Sequence, residues 1–187
     1  MAQRGGRLLE RHGSVVVLID VQESYRSKIF CEERFSVALR RLLAAARIVG
    51  IPIVATEQYP RGLGPTWPEL KNELPEGTQV LSKRCLSCWG ASGFGDAIRA
   101  LARPQVVVCG LEAHACVNQT VHDLLYRGFQ VHVPYDAVSS RFELDYRVGL
   151  EKMISSGAIP ATVEMVAFEW LRTADAPEFR AVQQLFK

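Results

Sequence analysis

The sequence predicts an α/β protein, a doubly wound three-layer α/β/α sandwich around a six-stranded parallel sheet. Three observations carry this. Short β-branched apolar runs alternate with segments of helical periodicity along the whole chain. The first run, Ser14 to Asp20 (SVVVLID), is apolar without alternation, the pattern of a strand covered on both faces. No internal repeat or low-complexity stretch competes with that reading.

The elements follow in order. Phe35, Leu39, Leu42, Leu43, Ala46 and Val49 recur at helical spacing, and Gly50 and Pro52 close that helix. Ile53 to Thr56 is a second strand. Residues 57–78, rich in Pro and Gly, form a long connection of the kind that is functional or carries short helices. Gln79 to Ser82 is a brief third strand, and Ser92 to Ala102 a helix. Gln105 to Cys109 is a fourth strand, Ala113 to Tyr126 a strong helix, and Gln130 to Pro134 a fifth strand. Phe142 to Ser155 is helical, with Ser140 and Glu143 spaced as a capping box. Ala161 to Glu164 is a sixth strand, followed by two short helices. Pattern alone does not fix strand order. The commonest doubly wound order, 3-2-1-4-5-6, sets strands one and four side by side, with a ligand crevice at their carboxyl ends.

Composition narrows the function. The chain of 187 residues suits one domain, and its formal net charge is +2. Residues 1–13 hold Arg4, Arg7 and Arg11 against Glu10, so they account for the whole excess. They read as a flexible basic arm ahead of a domain over 14–187. The balanced body lacks the basic excess of a nucleic-acid binder. No apolar run approaches the ~20 residues that span a bilayer. Five cysteines at irregular spacing make no disulfide framework, which implies free thiols and a reducing, cytoplasmic setting. The arm has no secretory apolar core, although a short targeting role for it stays open.

The chemistry-bearing residues lie at predicted strand ends. Asp20 ends strand one, Lys83 follows strand three, and Cys116 sits in the first turn of the helix after strand four. A helix N-terminus and a nearby cation lower a thiol's pKa, so Cys116 is expected to be an acidic nucleophile. Lys83 would stabilise its thiolate, and Asp20 would accept and return a proton. Singly, each has a bland reading: a buried cysteine, a solvated lysine, a turn-capping aspartate. His114, two residues before Cys116, is expected to face elsewhere. No histidine belongs to a short metal motif, and no glycine-rich nucleotide loop follows a strand, so neither metal nor cofactor is predicted. Cys85 and Cys88 form a single CxxC, read as part of a pocket wall. Gln22, Tyr25, Gln58, Tyr59 and Trp89 are candidate pocket residues, with packing of the long connection an equal alternative for the aromatic and polar loop residues.

Four segments in order resemble the isochorismatase-like cysteine hydrolases: VVLIDVQ (Val16 to Gln22), SKRCLSCW with Lys83, GLEAHACVNQT (Gly110 to Thr120) and DAVSSR (Asp136 to Arg141). TEQYPRGLGPT (Thr56 to Thr66) resembles the isochorismatase domain-containing subgroup, sometimes given a ribonuclease-like label. The resemblance implies an Asp–Lys–Cys triad at Asp20, Lys83 and Cys116. It implies a cis peptide between Leu111 and Glu112, an oxyanion hole from the Glu112 and Cys116 backbone N–H groups, and a homo-oligomer, dimer or larger. Two departures refine it. The region after strand two lacks the histidines of a nicotinamidase metal site, and the cysteine that true isochorismatases often lack is present. Both point to hydrolysis of a C–N bond in a small amide or carbamoyl compound. The alternatives are a non-catalytic small-molecule-binding or scaffold protein and, more weakly, a ribonuclease.

Overall fold

A computed structural model describes residues 8–187. The strands are β1 (Ser14–Ile19), β2 (Ile53–Gln58), β3 (Val80–Lys83), β4 (Gln105–Leu111), β5 (Gln130–Pro134), β6 (Val138–Ser139) and β7 (Ile159–Ala161). The helices are α1 (Glu32–Val49), α2 (Pro60–Leu63), α3 (Pro68–Lys71), α4 (Phe94–Ala100), α5 (Asn118–Tyr126), α6 (Glu143–Ser155), α7 (Val163–Leu171) and α8 (Phe179–Gln184). The strands join in one parallel sheet of order β3-β2-β1-β4-β5-β7.

The sheet has seven strands rather than six. The extra one, β6, is two residues long and pairs with β4 at Gly110 and Leu111, where β5 no longer reaches. Its brevity hides it from pattern reading. The last strand ends at Ala161, because Thr162 caps α7 by accepting the Met165 N–H.

Side-chain parity divides the core into two layers. Val16 and Leu18 of β1, with Val107, Cys109 and Leu111 of β4, face a layer shared with α1 and α7. Val15, Val17 and Ile19, with Val106 and Val108, face a layer shared with α4, α5 and α6. Strands β1 and β4 are therefore buried on both faces, which accounts for their unbroken apolar sequence.

Two glycines permit close approach. Gly110 has φ +119°, and a Cβ there would lie 2.1 Å from the Ile19 carbonyl oxygen of β1. A Cβ at Gly149 of α6 would come within 2.9 Å of the Ala113 backbone. Helix α6 thus rests directly on the segment that carries Cys116.

The expected loose arm needs correction where it is described. Residues 1–7 lie outside the described residues, but 8–13 are bound to the body. Leu9 is fully buried, and its N–H donates to Glu169 Oε2 at 2.8 Å. Arg11 reaches Glu178 Oε1 at 2.8 Å and the Val49 carbonyl at 2.7 Å. The capping box also differs: Phe142 is the N-cap of α6 with no side-chain hydrogen bond, while Ser140 Oγ lies 3.0 Å from His114 Nδ1. Among the described residues no helix is long and apolar enough to cross a membrane.

Candidate active site

The site forms where β1 and β4 lie side by side. Ile19 pairs with Gly110 on one side and with Thr56 on the other, so the residues that follow converge at the carboxyl edge of the sheet. Asp20 leaves β1 with φ 52° and is 1% exposed. Its Oδ1 accepts the Thr56 hydroxyl at 2.8 Å, and its Oδ2 lies 2.7 Å from Lys83 Nζ.

Lys83 is spent in three other directions. Its ammonium donates to Gln58 Oε1 at 2.7 Å, the Leu86 carbonyl at 2.9 Å and the Cys85 carbonyl at 3.2 Å. With Asp20 it forms a close buried ion pair as well. Burial works against the lysine's charge. The neighbouring Asp20 and Cys116 outweigh it, and the ammonium is held above its ordinary pKa.

Cys116 lies in a π-helical turn, Ala113–Val117, rather than at the start of a regular α-helix. The Glu112 carbonyl accepts the N–H groups of Ala115 at 3.0 Å and Val117 at 3.1 Å, passing over that of Cys116. The peptide between Leu111 and Glu112 is cis. The Cys116 carbonyl accepts the Thr120 hydroxyl at 2.7 Å.

The thiol is 7% exposed and is not acidic at rest. Burial and the Asp20 charge push it up to about 12, against a smaller opposing effect of Lys83. This corrects the expectation of a lowered pKa. The cation that should acidify the thiol is neutralised by the carboxylate that accompanies it, and desolvation decides the sign. At rest the thiol holds its proton beside the Asp20 side chain.

The other candidates separate. Tyr25 is brought to the site: its phenol is pushed up to about 12, by burial first and then by Glu112, Cys116 and Asp20. Gln22 is fully buried and works as a clamp. Its amide bonds the Gln58 carbonyl, the Gly64 carbonyl and the Gln58 N–H, and its own carbonyl accepts the Trp67 indole N–H. Gln58 holds Lys83 and is tied to the Arg84 carbonyl. These two glutamines build the long connection instead of lining open space. Tyr59 is 44% exposed, with the Arg84 guanidinium 4.6 Å from its ring centre. Trp89 is enclosed by Arg127 at 4.2 Å, Arg99 at 5.2 Å, Phe94 and Phe129.

Pattern reading missed several contributors. Thr56 holds Asp20, and Thr120 links the Cys116 carbonyl to the Cys88 N–H at 2.9 Å. Cys88 Sγ stands 3.5 Å from Thr56 Oγ1, so one half of the CxxC lies behind the residue that holds Asp20. All five cysteines are free. The Glu112 side chain is also part of the site, paired with Arg141 at 2.7 Å and 3.4 Å from His114 Nε2. Thr120 had a signal, since a hydroxyl four residues after a helical carbonyl reaches back to it. Among the described residues no three His, Cys, Asp or Glu side chains converge as a metal-ligand set.

Residues 14–165 match the isochorismatase domain. The chain belongs to the isochorismatase family. It is 42% identical over 185 residues to isochorismatase domain-containing protein 2 of Bos taurus, covering 97% of this chain and 86% of that one. It is 40% identical over 183 residues to isochorismatase domain-containing protein 2A of Mus musculus, with the same coverage. A structure titled MAR1 ribonuclease from Caenorhabditis elegans superimposes with a TM-score of 0.91 at 39% identity, covering 95% of this chain and 91% of that one. The isochorismatase-like hydrolase fold accounts for the sheet order and for the convergence of β1 and β4 at the site.

Proposed function

We propose that the protein is a cysteine hydrolase that cleaves a C–N bond of a small amide or carbamoyl compound through a thioester on Cys116. The observation that carries this is the buried Asp20 carboxyl, 2.7 Å from Lys83 and within hydrogen-bonding reach of the Cys116 thiol, a base set beside a thiol that needs one.

In the first half-reaction Asp20 takes the Cys116 proton as the sulfur attacks the carbonyl carbon. The oxyanion lies against the Glu112 and Cys116 backbone N–H groups. Asp20 returns the proton to the departing nitrogen as the C–N bond breaks, releasing ammonia or an amine. Water then attacks the thioester, Asp20 takes its proton, and the thiol is restored as the acid leaves. The Lys83 ammonium, 2.7 Å from Asp20 Oδ2, balances the carboxylate's charge before it takes each proton and after it gives it up.

The test is release of ammonia or amine from a panel of small carboxamides and carbamoyl compounds, with mass spectrometry of the quenched protein. The expected result is turnover and a Cys116 acyl adduct in the wild type and neither in Cys116→Ala. Release that survives Cys116→Ala overturns the reading. A second reading, a binding protein that keeps the fold, is favoured by the near-complete burial of Cys116. Tight binding across the panel with no product would select it. The ribonuclease name of the nematode relative has no counterpart in the charge of this chain, which balances outside residues 1–13. The exposed apolar residues Phe142, Leu144 and Val148 support a homo-oligomer, which a monomeric mass in light scattering would overturn.

A further inference from the structure

The charges around Cys116 are closed on one another. Asp20 is paired with Lys83, whose three donors are all taken. Glu112 is paired with Arg141, which spends Nε on Oε1 at 2.7 Å and Nη2 on Oε2 at 3.3 Å. The Glu112 carboxylate is nearly buried while the Arg141 side chain is half exposed, so the carboxylate is the inner partner and the guanidinium the outer one. Tyr25 registers the same arrangement, lying within electrostatic reach of Glu112, Cys116 and Asp20 together. Glu112, Cys116 and Asp20 all act on the Tyr25 phenol, so a ligand that reaches Cys116 past Tyr25 meets Glu112 as well as Asp20 and no unspent buried cation.

Resting on the cysteine-hydrolase reading, we infer that the site selects uncharged substrates, with the Glu112 carboxylate both excluding anions and withholding Arg141 from them. A substrate carboxylate would have to face Glu112 or displace it from Arg141, and like-charge juxtaposition in a desolvated cleft is strongly unfavourable. A neutral carboxamide, urea-like or carbamoyl group pays no such penalty.

Iodoacetamide and iodoacetate test this without a known substrate. They share a leaving group and nearly a shape, and differ by one charge. Alkylation of Cys116 is followed by mass spectrometry near pH 9, with the exposed Cys31 of the same molecules as internal reference. The expected amide-to-acid rate ratio at Cys116 exceeds that at Cys31 by about tenfold or more, as a repulsion of this kind implies. Glu112→Gln, which removes the inner charge and releases Arg141, lowers that ratio at Cys116. Arg141→Gln, which leaves Glu112 with only the His114 ring beside it, raises it. Opposite signs in the two variants guard against a general loss of structure. Equal ratios at Cys116 and Cys31, or the same ratio in wild type and both variants, overturn the inference and leave the nucleophile standing. Failure of Cys116 to react with either reagent both in the wild type and in Asp20→Asn, which removes the charge that raises the thiol, overturns the nucleophile and this inference with it.

Discussion

Asp20 Oδ2 and Lys83 Nζ lie 2.7 Å apart, with neither side chain more than 2% exposed. Such a pair costs desolvation on both sides, and its removal from one side leaves a buried charge alone. Lys83→Met also strips donors from Gln58 Oε1 and the Leu86 carbonyl. The expected loss is roughly 3–5 kcal/mol in urea unfolding. The double variant Asp20→Asn/Lys83→Met should lose clearly less than the two single variants summed. Additivity within about 0.5 kcal/mol would show that the pair is not coupled.

The same pair explains what could be read from sequence. The parallel α/β class was legible because β1 and β4 are unbroken apolar runs, whereas the strand order came from the commonest doubly wound arrangement and not from pattern. That Asp20, Lys83 and Cys116 meet was legible from their places after strands one, three and four together with the motif context. Charge balance at Cys116 was not, because it depends on which of Asp20 and Lys83 dominates after burial, a matter of ångströms. The clamp made by Gln22 and Gln58 was not legible for a similar reason: a glutamine in a loop looks the same in sequence whether its amide faces a ligand or its own backbone. Residues 138–139 show no period at all in two positions, so β6 stayed hidden.

The protonated thiol sets the pH dependence of Cys116 alkylation. With the group pushed up to about 12, its rate should still climb steeply past pH ~8.5, where an ordinary thiol is half titrated. Asp20 raises the thiol and Lys83 lowers it, so their removal acts in opposite directions. Asp20→Asn should speed alkylation near pH ~8.5 and Lys83→Met should slow it. A rate that levels off in the wild type at ordinary thiol pH values would place an acidic thiolate there instead.

Gly110 makes the close contact of β4 with β1 possible. Gly110→Ala combines an unfavourable φ with a Cβ 2.1 Å from backbone that cannot swing away. The expected destabilisation is roughly 3 kcal/mol or more, with loss of Cys116 reactivity as the strands part. Gly50 closes α1 with φ +75° and has nothing within 4 Å of such a Cβ. Gly50→Ala should therefore cost only about 1 kcal/mol. Similar losses in urea unfolding for both variants would show that φ alone, and not the approach to Ile19, makes Gly110 necessary.

His132 gives the fold an acid limit. It lies in β5 between Val131 and Val133, which face the α5 layer, and its two ring nitrogens are buried without partners. Burial lowers its pKa to about 4, against ~6.5 in an unfolded chain. Above the unfolded value both states are neutral and the residue is silent. Between the two values the unfolded chain binds a proton that the folded protein refuses, so stability falls as the pH drops, by up to about 3 kcal/mol at the folded value. His132→Val keeps a strand-forming apolar residue and removes that linkage. Denaturant unfolding near pH 7 and near pH 4.5 should show the variant gaining on the wild type in acid by about 2–3 kcal/mol. A constant difference between the two at both pH values would mean that His132 is protonated, or hydrated, in the folded protein.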